Sequence, residues 1–425
     1  MTRTMKDSGI EWIGQIPEGW ETQKNKYLLD FVYSGGTPTS SEEKFYSDEG
    51  IPFVAIGDMS NNEFVYDTDK HLTTIGIDDK NLKILKEGTI LYSIYATLGA
   101  VSELKVSATI NQAMLALIPK NHVCKNYYKY SLKAIRDYAV SETSANTQAN
   151  LNLNKVKNYY LPVPSLPEQQ KIADFLDEKC SHIDSILEKT KASIDECKQL
   201  KQSVITQAVT KGIRPNRPMK DSGIEWIGQI PEDWKAATLK HYITWKSKKG
   251  CPDETVLSLY RDYGVIPKDS RDDNHNVTSI DTSDYKVVDV GDFVINKMKA
   301  WQGSMAISKY RGIISPAYHI CTVNSTNIDL MYFHYLLRNK SYLPEYTRLS
   351  TGMRVGQWDL SFDDFKNIPF IIPPMNEQIE IVGYLDNKCS EIDKLITKKE
   401  QLIKELETYK KSLIYEYVTG KKEVI

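Results

Sequence analysis

Residue types that commonly carry catalysis are present in this 425-residue chain, but not at the spacings catalysis needs. The seven histidines form no HExxH or paired metal-ligand pattern. The six cysteines (Cys124, Cys180, Cys197, Cys251, Cys321 and Cys389) form no CxxC pair and stand at no zinc-finger spacing from a histidine. There is no GxxxxGK[ST] phosphate loop, no glycine-rich nucleotide fingerprint after a strand-like stretch, and no N/D-P-P-Y loop of the kind that methylates amino groups. The run Pro231-Glu232-Asp233-Trp234-Lys235 has the carboxylate–lysine character of a nuclease tail, yet its earlier copy, Pro17-Glu18-Gly19-Trp20-Glu21, lacks both the aspartate and the lysine. No catalytic residue and no metal ligand is assigned, and no cofactor is expected in this chain.

Hydrogen bonding, stacking and charge remain. Gly35, Gly36 and Thr37, between Ser34 and Pro38, form either an ordinary turn or a turn whose amides would hold phosphate. Asn111 and Gln112 carry amides that match the edge of adenine, or else close a loop. Ser93, Tyr95 and Thr97 lie on a strand-to-loop stretch ahead of Gly99. Further along, Lys297, Lys299, Trp301 and Gln302 occupy the place matching that stretch, and Lys246, Lys248 and Lys249 form a small basic cluster. Arg354 and Gln357 belong to a third group, with Arg348 and Trp358. Lysine and arginine neutralise phosphates or read guanine edges, although a single lysine is usually just solvated.

The formal net charge of −2 gives no global signal for a polyanion, so such contacts must come from local arrangement. Hydrophobic content of 41% and charged content of 26% suit folded domains, and the length suits two to four of them. The start of the chain lacks a signal-peptide core, no apolar run approaches a membrane span, and the cysteines suit a reducing compartment. A cytoplasmic protein is expected.

The elements that must position these groups are written twice. MKDSGIEWIGQIPE occurs at Met5–Glu18 and again, unchanged, at Met219–Glu232. A second repeat begins EQQKIADFLDEKCSHID at Glu168 and EQIEIVGYLDNKCSEID at Glu377, an offset of 377 − 168 = 209. The layout is a leader (1–20), a variable block (21–164), a helix (165–212), a second leader (213–234), a second block (235–373) and a second helix (374–425).

The helical segments carry heptad rows. Leu176, Ile183, Leu187 and Ile194 stand on the first, and Leu385, Ile392, Ile396 and Ile403 on the second. Each segment would span roughly 60 Å and would need a partner for its apolar stripe. The other copy is the natural one. Lys201 and Lys410 take equivalent places on the stripe, where they either fix register or snorkel to solvent. Apolar residues beside the rows, Ile172, Phe175, Ile381 and Tyr384, are expected to face other subunits. A circular plan puts the end of the second helix beside the first leader. The blocks read as mixed structure, with strands near Ile51–Ile56, Gly88–Ile94, Met114–Ile118, Gly291–Asn296 and Tyr318–Val323. The expected class is α+β: two pseudo-two-fold-related domains joined by a long antiparallel two-helix coiled coil.

This doubled layout resembles the specificity subunits of type I restriction–modification systems. The resemblance is carried by SGIEWIGQIP in both leaders, by the Pro-x-x-x-Glu-Gln helix starts, and by Gly35-Gly36-Thr37-Pro38, Ile51-Pro52-Phe53, Gly88-Thr89-Ile90-Leu91 and Asn111-Gln112-Ala113. It covers essentially the whole chain. The second block departs from it, with Lys246-Ser247-Lys248-Lys249-Gly250 where the glycine turn should be. The resemblance implies two target-recognition domains, each reading one half of a split double-stranded DNA site, with the helices as a ruler. It implies docking of two modification subunits carrying adenosylmethionine for adenine methylation, and of restriction subunits using ATP and Mg for translocation and cleavage. A non-catalytic scaffold with two variable protein-binding domains is the alternative from another class.

Overall fold

The computed structural model describes residues 3–60, 62–144, 150–261, 263–271, 281–324, 326–352 and 358–424. The chain forms two compact units, Met1–Thr190 with Gln401–Ile425, and Lys191–Glu400. The class is α+β.

Unit 1 is built on a five-stranded sheet. Its strands are β1 (Leu29–Ser34), β3 (Phe64–Val65), β4 (Ile90–Ser93), β5 (Val101–Leu104) and β7 (Met114–Pro119), in the order β1-β7-β4-β5-β3. Met114, Leu115, Ala116 and Leu117 are all fully buried, because strand β7 is covered on both faces. A second sheet joins β2 (Tyr46–Val54) to β6 (Thr109–Ile110) and to His71–Leu72. Ala55 ends the strand expected to reach Ile56, and a short helix starts there instead. Helix α1 (Lys125–Ala134) buries Tyr127, Tyr128 and Tyr130 in the same core as Leu115, Leu117 and the start of helix α2 (Leu166–Lys211).

Unit 2 takes the remainder of α2 and a four-stranded antiparallel sheet. Its strands are β8 (Ile243–Lys246), β11 (Phe293–Asn296), β12 (Met305–Ile307) and β13 (Tyr318–Val323), ordered β8-β13-β11-β12. Between β8 and β11 the chain adds the hairpin β9 (Leu257–Tyr260) and β10 (Gly264–Pro267). Helix α3 (Leu330–Leu337), capped by Asp329, packs Tyr332, Phe333, Leu336 and Leu337 into the core. Helix α4 (Met375–Val418) starts in this unit and supplies its last turns to unit 1.

Within each unit the two long helices run antiparallel. In unit 1 the Phe175 and Tyr417 rings meet at 4.5 Å, and Lys410 lies 2.6 Å from Asp184. In unit 2 Lys201 lies 2.6 Å from Asp393. The register is the same in both, since 184 + 410 and 201 + 393 each make 594. Both lysines therefore bind a carboxylate across the seam. Leu176, Ile183, Leu187, Ile194 and Leu385 are buried, while Ile392, Ile396 and Ile403 are half-buried. One expectation is overturned: Ile172 and Ile381 face no other subunit. They are 3% and 0% exposed, enclosed by the cores of units 1 and 2. A helix start anchored to a domain on one side and to the other helix's last turn on another leaves that position no outward face.

Candidate functional site

Both helix starts form a clasp. The Glu168 carboxylate accepts the Trp20 indole N–H at 2.9 Å and pairs with Arg3. In unit 2, Glu377 accepts from the Trp234 indole at 3.1 Å and pairs with Arg217. The Glu377 side chain is 1% exposed, so two strong donors compensate its burial. The next residue holds the domain. Gln169 accepts from the Cys124 N–H at 2.9 Å, ahead of α1. Gln378 accepts from the Asp329 N–H at 2.8 Å, ahead of α3. The Glu-Gln pair thus ties leader, domain and helix together. Arg3 and Arg217 lie two residues before the identical stretch and at its own offset, 3 + 214 = 217; extending the repeat by that much would have found them.

The end of the opposite helix closes each clasp. Tyr127 Oη donates to the Val418 carbonyl at 3.0 Å in unit 1, and Tyr332 Oη to the Val209 carbonyl at 3.1 Å in unit 2. Gly420 and Gly212 follow, with φ of 72° and 78°. A side chain on Gly420 would strike Pro17 and Trp20, and one on Gly212 would meet Glu377 and Trp234. Lys421 then donates to the Ile13 carbonyl at 2.5 Å, and Lys211 to the Ile227 carbonyl at 3.1 Å. The end of the second helix does lie beside the first leader.

In unit 1 the candidate contact residues converge on one rim. Thr37 Oγ1 donates to Gln112 Oε1, and the Gly36 N–H donates to the Ile110 carbonyl at 3.2 Å. The Ile94 N–H donates to the Ala113 carbonyl at 2.9 Å, which sets Tyr95 beside the Asn111–Gln112 loop. Thr37, Tyr95 and Gln112 are exposed there. Of the two readings of the glycine turn, this geometry favours the ordinary turn. The Gly36 amide is already spent on Ile110, and Gly35 is a glycine because its α-carbon lies against the Ile110 and Asn111 carbonyls. Asn111 Oδ1 caps the Ala113 N–H at 2.9 Å.

In unit 2 the matching residues are largely engaged. Lys246 is held between Asp289 and Asp292, at 2.6 Å from the latter. Burial works against its charge, but those two carboxylates outweigh it and raise its pKa. It is a half-buried strut for the sheet edge rather than an open cation. Lys297 pairs with Asp359 at 3.2 Å, and Gln302 accepts from Arg261 at 2.7 Å. Trp301 packs on Trp358 at 5.3 Å with its indole nitrogen buried, so it serves packing. Lys248 and Lys299 are exposed. Arg354 and Gln357 lie outside the described residues.

Two charged clusters were not foreseen. In unit 1, burial works against ionisation of Glu103, but hydrogen bonds from Lys105, Lys129 and Lys125 outweigh it and hold the carboxyl at about 2. In unit 2, burial pushes the His334 imidazole down to about 3, aided by the charges of Arg338 and Lys309. Among the described residues there is no group of three or more potential metal ligands, and no helix is long and apolar enough to cross a membrane.

Comparison with known proteins agrees with this doubled plan. Residues 17–196 and 231–408 both match the family model of the type I restriction modification DNA specificity domain. The chain is 25% identical over 410 residues to the putative type I restriction enzyme MjaX specificity subunit of Methanocaldococcus jannaschii, spanning 92% of each protein. To the MjaIX specificity subunit of the same organism it is 27% identical over 257 residues, 57% of this chain and 56% of that protein. To the EcoKI specificity subunit of Escherichia coli it is 21% identical, over 90% and 84% of the two chains. Among solved structures, a chain from a type I R-M system, determined for its complex assembly and conformational transition, superposes with a TM-score of 0.70 at 13% identity, over 96% of this chain and 99% of that one. The HsdS subunit of Thermoanaerobacter tengcongensis superposes with a TM-score of 0.52 at 14% identity, over 96% and 98%. At such identities the superpositions show a shared fold.

Proposed function

This chain belongs to the type I restriction modification DNA specificity domain family, and from that premise we propose that it reads an asymmetric, bipartite double-stranded DNA target. Unit 1 takes one half-site through the rim of Thr37, Tyr95 and Gln112. Unit 2 takes the other through the exposed Lys248 and Lys299, with Lys297 and Gln302 beside them. The observation that carries this reading is the convergence, in unit 1, of three loops far apart in sequence on one polar, aromatic rim. Identical leaders combined with different blocks favour two different half-sites.

The long helices set the distance between the half-sites and dock two modification subunits. Exposed Leu395, Leu402 and Tyr409, at intervals of seven on α4, and Leu200 on α2 are apolar surface suited to such partners. Adenosylmethionine and adenine methylation belong to the modification subunits, and ATP with Mg to the restriction subunits. The chain itself contributes recognition without catalysis, in the cytoplasm. Mapping methylated adenines in a host that expresses the assembled complex tests this. The expected motif has two unlike blocks separated by unspecified bases; a palindromic or undivided motif would overturn it.

A further inference from the structure

We propose that Tyr95 is the specificity-determining residue at the tip of the β4–β5 hairpin in unit 1, and that Ser93 and Thr97 hold it in place without touching DNA themselves. This rests on the DNA-recognition reading above and gives that rim a division of labour.

The three side chains differ sharply in what they have left to offer. Ser93 is 0% exposed, and its hydroxyl donates to the Tyr95 carbonyl at 2.8 Å. Thr97 Oγ1 lies 3.2 Å from Ser60 Oγ and 3.5 Å from Ser93 Oγ, so its hydrogen-bonding capacity is turned inward. Tyr95 is 42% exposed.

The tip that carries Tyr95 is strained and clamped. Ala96 has a φ of 55°, in the left-handed region, and its methyl side chain offers no local hydrogen bond in return. Such a conformation persists only where its surroundings over-determine it. Here the Gly99 N–H donates to the Ser93 carbonyl at 2.9 Å, the Ala100 N–H to the Thr97 carbonyl at 3.1 Å, and Arg136 Nε to the Leu98 carbonyl at 3.0 Å. The result is an aromatic ring with a phenolic hydroxyl on a rigid backbone beside Gln112. A preorganised aromatic costs little entropy on binding and can pack on a thymine methyl or a base-pair edge.

The test uses the full chain and a randomised duplex library, with bound duplexes sequenced for the wild type, Tyr95→Ala and Tyr95→Phe. The wild type is expected to enrich two fixed blocks. Tyr95→Ala should relax positions in one block only and weaken binding to the wild-type consensus about tenfold, the scale of one mismatched base pair. Tyr95→Phe should keep both blocks if packing of the ring is the contact. Melting temperatures of the variants, expected to match the wild type for so exposed a side chain, separate recognition from folding. An unchanged Tyr95→Ala pool, or equal weakening on every duplex, overturns the role given to Tyr95 and leaves the DNA reading standing. A wild-type chain that enriches no sequence defeats the DNA reading itself.

Discussion

The Lys410 ammonium lies 2.6 Å from both carboxylate oxygens of Asp184, and its repeat counterpart Lys201 binds Asp393 in the same way, at 2.7 and 2.6 Å. A lysine on a heptad row costs stability unless it has somewhere to go. Here it crosses the seam to an aspartate on the facing helix, and the doubled sequence makes the arrangement twice.

The pair is partly solvated, with side-chain exposures of 21% for Lys410 and 44% for Asp184. A double-mutant cycle on Lys410→Met and Asp184→Ala should give a coupling of about 0.5–1 kcal/mol, shrinking in high salt. A coupling indistinguishable from zero at low salt would remove any role for the pair in holding the helices together.

The clasp in unit 2 should matter more. Replacing Glu377 by alanine leaves the buried Trp234 indole N–H without its acceptor and the Arg217 guanidinium with only the exposed Asp233 carboxylate. A loss of about 3 kcal/mol is expected. Glu168→Ala should cost less, because that carboxylate is 25% exposed and water can replace it. Denaturant unfolding of the full chain measures both; equal losses would contradict the ranking.

Acid should weaken unit 2 before unit 1. The His334 imidazole falls from 6.5 to about 3 on folding, so between those values the unfolded chain binds more protons. Stability therefore drops as pH falls from 6.5 towards 3. Glu103 falls from 4.5 to about 2, and the stability it contributes is present above 4.5 and lost on the way down to 2. The melting temperature should decline by about 3 °C per pH unit below pH 6.5. His334→Asn, which keeps an acceptor for the Ile307 N–H but cannot take the proton, should flatten that decline. A decline unaffected by the substitution would assign the acid sensitivity elsewhere.

Deleting one matched heptad from each long helix, Thr190–Glu196 together with Lys399–Glu405, leaves both lysine–aspartate pairs intact. Each helix shortens by about 10 Å. On the proposed reading, the spacer between the half-sites contracts by up to about three base pairs at 3.4 Å each, and binding weakens as one groove turns relative to the other. The half-site sequences should stay as they were. A folded variant that kept its original spacer would mean that something other than these helices sets the distance.

The repeats, the heptad rows and the α+β class were legible because they are local patterns: identical letters, a period of seven, strand-like apolar runs. The site was less so. The glycine turn at Gly35-Gly36 reads two ways, and what favours the ordinary turn is a hydrogen bond from the Gly36 N–H to the Ile110 carbonyl, which only the folded sheet brings near. Lys246 reads as a surface cation, but Asp289 and Asp292 reach it from another strand connection. Ile172 and Ile381 stand off the heptad rows and read as outward-facing, yet each lies where a domain closes over a helix start. Long-range partners of this kind leave no mark in the spacing of neighbours.

Unit 2 is one uninterrupted stretch, Lys191–Glu400, whereas unit 1 needs Gln401–Ile425 as well as its own first residues. Translation at about 5–20 residues per second makes N-terminal domains the usual first folders. In this chain the sequence of unit 2 is complete before that of unit 1. The first-made unit is the last to have its long-range partners: on the ribosome Ile13 and Trp20 must wait for Lys421 and Gly420, the residues they meet, until all of unit 2 has been made.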